Sequence, residues 1–215
     1  MKKLLTLLLL TSINFCYAQV EENWEDHSKK LPGYVILKDG KKIEGYLKRF
    51  LKIKSQRKVK FFKTLDDKPV VYKPKQLKAY QIGDDYYESH PYEGLSGKTK
   101  VFLLRTLKGK ISLFEYYMRV EDDQKMELTI SKKGNKEVIL DFDGTKVVAE
   151  GFASKEGGKT LKFSSTKVLF SFKKVMSKYV SDYPELAKKI KNKEKGYKVY
   201  NILNIVNEYN AHFGE

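Results

Sequence analysis

The spacing of apolar residues changes its period once along this chain, close to Ser165 and Thr166, and this change limits the fold more than any other feature. Before it, short apolar stretches alternate with polar residues and are separated by turn signals such as Asp39-Gly40. That pattern is typical of strands with one buried face. After it, apolar residues recur every three or four positions, as in helices. We therefore predict an α+β protein with a β-rich N-terminal part and a C-terminal segment of three helices.

Each predicted helix has a start signal. Ser165 or Thr166 can cap the first helix, Pro184 suits the first turn of the second, and Gly196 separates the second from the third. The apolar stripes behind these signals are more often core than recognition surface. We expect the helices to pack on a sheet or on each other.

Turn signals divide the region before the helices. Residues 33–93 hold five or six short strands, which predict a small barrel-like domain because closure removes exposed sheet edges. Its first hairpin should turn at Asp39-Gly40 in a type I′ geometry, with φ above zero at both residues. Residues 94–165 predict further antiparallel hairpins, continuous with that domain, and residues 166–215 hold the helices. Residues 19–32 are polar and without periodicity, which predicts a flexible leader.

The first 18 residues have the composition of a signal peptide. Lys2 and Lys3 precede an apolar run, and Ala18 offers a small residue before a cut at Gln19. The run is too short to span a bilayer, and we predict no stable membrane span in the mature chain. We therefore expect export to the periplasm or beyond the cell. Cys16 leaves open a second possibility, a lipoprotein acylated at that cysteine, although the bulky residue before it disfavours this.

The formal net charge is +16, from 43 basic and 27 acidic residues. Such a surface should attract polyanions. The arginines number only four, and arginine is the residue best suited to contact guanine and phosphate through two hydrogen bonds. The composition therefore favours an anionic envelope polymer or glycan over nucleic acid as the partner. A solvated basic surface without a dedicated partner is the alternative.

Three stretches of the sequence resemble a known group. They are GYVILKDGKKIEG at residues 33–45, the hairpin at residues 102–117, and the run FKKV, DYPEL and IVNEYN within residues 172–210. Together they resemble a group of uncharacterised exported proteins common in Bacteroidota. The resemblance implies a bacterial envelope location and carries over no catalytic residue. The first hairpin is also similar to part of an Sm-like or SH3-like barrel.

The sequence motifs that usually indicate a catalytic, nucleotide-binding or metal-binding site are incomplete, and we predict no catalytic residue, cofactor or metal site. The stretch SGKT at residues 96–99 lacks the glycine that a phosphate-binding loop needs, because Tyr92 occupies that position. Asp141, Asp143 and Glu150 match three positions of a calcium-binding EF-hand loop, but Ile139 at its first position cannot bind the ion. The three histidines match no zinc-binding spacing.

One cluster remains as a candidate binding surface, because aromatic side chains interleaved with lysines can stack on sugars or bases. Packing of these rings across strands is the alternative. The candidate residues are Tyr80, Tyr86, Tyr87, His90, Tyr92, Lys73, Lys75 and Lys78.

The sequence thus favours a non-enzymatic envelope protein that binds or scaffolds through its β-rich surface. Two alternatives stay open. A cell-wall or glycan hydrolase could take its acid and base carboxylates from separate strands. A polyanion-binding or nucleic-acid-binding module would lose affinity steeply as salt is added.

Overall fold

The computed structural model describes residues 29–94, 97–119, 138–140, 146–155 and 160–214. The predicted signal peptide, most of the predicted leader and the glycine-rich turn at residues 157–158 lie outside the described residues. So do Asp141 and Asp143 of the calcium-like motif.

Within these described residues, eleven strands form a single antiparallel sheet. Their bounds are β1 (Lys30–Leu37), β2 (Lys42–Lys48), β3 (Val59–Phe62), β4 (Val70–Tyr72), β5 (Leu77–Ile82), β6 (Asp85–Gly94), β7 (Gly97–Leu107), β8 (Ile111–Arg119), β9 (Val138–Leu140), β10 (Lys146–Lys155) and β11 (Leu161–Lys162). In space the order is β4-β3-β2-β1-β5-β6-β7-β8-β10-β11, and β9 also pairs with β10. The predicted α+β class is confirmed in outline: the chain is β-rich, and its helices are mostly C-terminal.

The first hairpin forms, but with a different turn from the predicted one. Gly40 has φ of +94°, whereas Asp39 does not have a positive φ, so the type I′ prediction is wrong. The Gly40 N–H donates to the Leu37 carbonyl at 3.0 Å, and the Leu37 N–H donates to the Lys41 carbonyl at 3.0 Å. This is a three-residue loop, a type I turn closed by one left-handed glycine. The first strand also begins at Lys30, three residues before the predicted start at residue 33.

Strands β6 and β7 bury both of their faces, each against a different core. On one face Tyr87 and Phe102 join the apolar cluster of β1, β2, β3 and β5, which we call the first core. On the other face Val101 and Leu103 pack with Phe114 of β8 and with a phenylalanine of β10. Alternation along a strand produces this division, because successive side chains point to opposite faces.

The helices cover the same face of the sheet as the first core, farther along at β8 and β10. Their bounds are α2 (Thr166–Tyr179), α3 (Pro184–Lys191) and α4 (Ile202–His212), with a short 3₁₀ turn at Val199–Asn201 before α4. One helix was not predicted, the single turn α1 (Lys52–Ser55) between β2 and β3. The predicted cap at Ser165 is confirmed, since its Oγ accepts from the Val168 N–H at 3.3 Å. Leu113 and Ala153 of the sheet pack against Met176 and other apolar residues of the helices.

Two buried amide side chains tie distant parts of the chain together. Asn210 of α4 accepts from the Ile111 N–H at 2.8 Å and donates to the Ile111 carbonyl at 3.0 Å. Gly109 permits this approach, because a Cβ there would lie 2.2 Å from the Asn210 amide nitrogen. Gln56 makes the corresponding pair of hydrogen bonds farther along β8. Its side chain donates to the Tyr117 carbonyl at 2.9 Å and accepts from the Tyr117 N–H.

Gln56 lies where the ladder between β7 and β8 opens. Those strands pair only around Leu104, Arg105 and Leu107. Beyond that point the Phe102 N–H donates instead to the Gln56 carbonyl, at 2.9 Å. The glutamine thus satisfies backbone groups of both strands, which would otherwise be buried without partners.

Candidate ligand-binding cleft

A cleft of about 1510 Å³ lies over the sheet face that points away from the helices. Strand pairing places its floor on four neighbouring strands: His90 of β6 lies opposite Val101 of β7, and Phe114 of β8 lies opposite Phe152 of β10. The next residues along β8 and β10, Leu113 and Ala153, point to the helices instead.

The walls of the cleft are rich in positive charge. Five basic residues line it, against two acidic ones. Two of the five are already paired, Lys155 with Asp182 at 2.8 Å on the helix side and Lys162 with Glu150 at 2.9 Å. The basic residues are Lys98, Arg105, Lys108, Lys155 and Lys162, and the acidic residues are Glu88 and Glu93. Lys98 and Lys108 are exposed at the rim. A concave surface with an excess of one charge concentrates ligands of the opposite charge.

His90 is held at the floor of the cleft by contacts on both ring nitrogens. It is buried, its Nδ1 lies 3.2 Å from the Thr160 hydroxyl, and its ring meets Phe114 edge-on at 4.6 Å between centroids. Its Nε2 lies 3.1 Å from a carboxylate oxygen of Glu88. That nitrogen is not aligned for a hydrogen bond with the carboxylate.

Glu150 is a buried carboxylate beside the floor, 6% exposed. One oxygen accepts from Ser164 at 2.7 Å, and the other accepts from the Tyr92 hydroxyl at 3.2 Å and lies 2.9 Å from the Lys162 ammonium. A buried charge is tolerated when it is both paired and hydrogen-bonded. Glu150 therefore joins β6, β10 and β11 behind the cleft as a compensated ion.

Tyr92 contributes an aromatic wall. Its ring stacks on Tyr116 at 4.3 Å and 30°, and the Lys162 ammonium lies 5.1 Å above it. Burial, followed by the nearby charge of Glu150, raises the pKa of the Tyr92 phenol above its ordinary value. The neutral phenol is therefore the form that donates to Glu150.

The structure separates the candidate residues predicted from the sequence into three places. Tyr86, His90 and Tyr92 occupy alternate positions on the cleft face of β6, with the Arg105 guanidinium 3.8 Å from the centre of the Tyr86 ring. Tyr80 and Tyr87 lie in the first core, 1% and 3% exposed, and present no ring face to solvent.

The candidate lysines lie away from the cleft. Lys73 and Lys75 are exposed in the loop between β4 and β5. Lys78 is on β5 near the first hairpin, where partial burial and then the charges of Lys100 and Lys78 lower the pKa of Lys38.

Sequence reasoning missed most of the cleft, namely Phe114, Phe152, Glu150 and the five basic residues. Glu150 was considered only as the last position of the calcium-like motif, whereas it lies within β10 and binds Tyr92, Ser164 and Lys162. The available signal was period-two alternation, which places the phenylalanines on one face of their strands. Within the described ranges, no three histidine or carboxylate side chains come close enough to hold a metal ion.

Comparison of the chain with protein-family models, with curated proteins and with solved structures found no match. No helix in the described part of the chain is long and apolar enough to cross a membrane.

Proposed function

We propose that this protein is an exported, non-enzymatic binding protein of the bacterial envelope, and that its cleft holds an anionic glycan or a similar anionic polymer. One observation carries the proposal: a cleft of about 1510 Å³ combines the basic side chains of Lys98, Arg105 and Lys108 with the aromatic wall of Tyr92. Carboxylate or phosphate groups of a polymer would contact Lys98 and Lys108 at the rim, while sugar rings would lie against the half-buried Tyr92.

The charges inside the cleft favour binding over hydrolysis. A glycosidase needs two carboxylates that face the scissile bond and can exchange protons. Glu88 is in contact with His90, and Glu150 is engaged by Tyr92, Ser164 and Lys162. Glu150 is therefore not left to act as an acid or a base, which supports a binding role.

The export proposal rests on the signal-like segment at residues 1–18 and on the resemblance to exported proteins of Bacteroidota. We also propose that the strands within residues 33–93, β1 to β6, form the small barrel-like unit expected from the turn spacing. The apolar cluster around Val35, Leu47 and Tyr80 supports this, since five of these strands bury residues in it and Tyr72 of β4 packs against it.

A fluorescently labelled oligogalacturonide, an acidic sugar chain, serves as the probe, and anisotropy measures its affinity. Lys98→Glu combined with Lys108→Glu should weaken binding about tenfold or more, because two attractive charges at the rim become repulsive. Lys41→Glu combined with Lys68→Glu is the matched control, since both lysines are exposed outside the cleft and the net charge changes equally. This control should change the affinity by less than about twofold, through the overall charge alone.

Three outcomes would contradict the proposal. Equal loss in both double variants would mean attraction to the whole basic surface rather than to the cleft. Stronger competition by single-stranded DNA of equal charge would favour a nucleic-acid-binding module. Shortening of the sugar chain during incubation would favour the hydrolase.

A further inference from the structure

The outer surface of α2 carries an aromatic side chain that the fold does not bury. Phe170 is 87% exposed, although Val168 and Phe172, two residues to either side, are buried in the helical core. Its neighbour Leu169 is 38% exposed. Full exposure of a phenylalanine forgoes the favourable burial of a large apolar surface.

Exposed lysines precede and follow this ring in the chain. Lys167 lies three positions before Phe170 in the same helical turn, the spacing that brings side chains to the same side of a helix. Lys173 and Lys174 follow the kink at Ser171 and are also exposed. No aspartate or glutamate occurs within α2.

We propose that this α2 face, defined by Lys167, Leu169, Phe170, Lys173 and Lys174, docks on an anionic lipid surface. An aromatic ring enters the boundary between headgroups and acyl chains, while lysines around it reach the lipid phosphates. The helix is held in place by its buried side and does not have to fold on binding. This inference does not depend on the ligand of the cleft.

Charge complementarity selects lipid over a second copy of the chain. Two copies joined through Phe170 would bring two sets of lysines together, and like charges in contact oppose association. An anionic bilayer offers both an apolar interior for the ring and negative charge for the lysines. Most of the cleft lies across the sheet from the helices, and Ser165, which caps α2, lines its edge.

The test uses the full chain with a reporter at position 170. Trp24 is the sole tryptophan, so Phe170→Trp combined with Trp24→Phe gives emission from α2 alone. Val70→Trp in the same background is the matched control, since Val70 is 50% exposed on β4 at the far end of the sheet. Every variant keeps the same residues 1–18, so attraction of that segment to lipid does not by itself alter emission at position 170.

Vesicles of phosphatidylcholine and phosphatidylglycerol should shift the emission of the position-170 reporter to shorter wavelength and leave the position-70 reporter unchanged. Adding Lys167→Glu and Lys174→Glu should weaken the vesicle affinity at least about 25-fold, from about fivefold for each lysine near an anionic surface. High salt should weaken it as well.

The inference would be overturned by an equal shift with pure phosphatidylcholine, or by no shift with either vesicle. A shift that grows with protein concentration in the absence of lipid would assign the face to a second copy instead. Circular dichroism of each variant confirms that it is folded before its emission is compared.

Discussion

Two stacked tyrosine pairs lie on opposite faces of the same sheet, and they have different uses. Tyr80 and Tyr87 stack at 4.7 Å and 9° inside the first core, where the Tyr80 hydroxyl donates to the Ser55 carbonyl at 2.8 Å. Tyr92 and Tyr116 stack at 4.3 Å and 30° beside the cleft, where the Tyr92 hydroxyl donates to a carboxylate. The two ring pairs have similar stacking geometry. What distinguishes the structural pair from the candidate site is the group that each hydroxyl contacts and whether solvent reaches the rings.

This contrast extends to the forces that hold each region. The first core depends on apolar volume, since nearly all of its members are buried hydrophobic side chains. The cleft side depends on compensated charge, because Glu150 is buried among donors. We expect substitutions to separate the two regions by the kind of damage they cause.

The largest loss of stability is expected in the first core. Phe102 is fully buried and meets the Tyr80 ring edge-on at 4.9 Å. Phe102→Ala should lower the free energy of unfolding by about 3–5 kcal/mol, because a cavity replaces the ring. Urea denaturation measures this change, and oligogalacturonide affinity should be retained below the unfolding transition. A loss under about 1 kcal/mol, or loss of binding by the folded variant, would mean that the two faces are not independent.

A smaller loss is expected behind the cleft. Glu150→Gln leaves the Lys162 ammonium without its carboxylate, and because Lys162 is partly exposed we expect a loss of about 2 kcal/mol rather than the full cost of a buried unpaired charge. Adding Lys162→Met should recover part of this loss, since removing both charges costs less than removing one. If the double variant is less stable than Glu150→Gln, charge compensation is not what holds this region.

The smallest effect concerns alkaline pH. Burial raises the pKa of Tyr179 to about 12, and burial followed by the charge of Glu150 raises that of Tyr92. A tyrosine whose pKa is higher in the folded state stabilises the fold fully below its unfolded pKa, near 10.0, and loses that contribution as pH rises through the folded pKa. Stability should therefore decline above a pH of about 10.

Ultraviolet absorbance of the phenolates follows this titration. Glu150→Gln should bring one group, Tyr92, back toward the ordinary pKa and leave Tyr179 unchanged. Titration of all tyrosines together near their ordinary pKa would contradict the burial of Tyr92 and Tyr179.

Much of the fold could be predicted because strands and helices have local signals. Alternation and turn residues predicted the β-rich part, and Ser165 and Pro184 marked two helix starts that the structure contains. Alternation along β6 also indicates that Tyr87 lies on one face of the sheet and that His90 and Tyr92 lie on the other. Their proximity in sequence instead suggested a single aromatic cluster.

The rest had no local signal. Glu150 of β10 contacts Tyr92 of β6 although β8 and β7 lie between these strands in the sheet. Their proximity depends on the pairing order, which is a property of the whole sheet. The single turn of α1 is too short for a helical period to be read. The three-residue loop at Gly40 depends on one positive φ, which the dipeptide Asp39-Gly40 permits but does not distinguish from the two-residue turn.

The two hydrogen bonds between the Asn210 side chain and the Ile111 backbone have a consequence for the order in which the chain can fold. They join residues 99 positions apart, so the N–H and carbonyl at the start of β8 stay without these partners until the last helix is in place. Contacts so distant in sequence form slowly, because the long loop between them must close first. We expect α4 to dock late, and a chain that ends before residue 210 to remain open at this corner of the sheet.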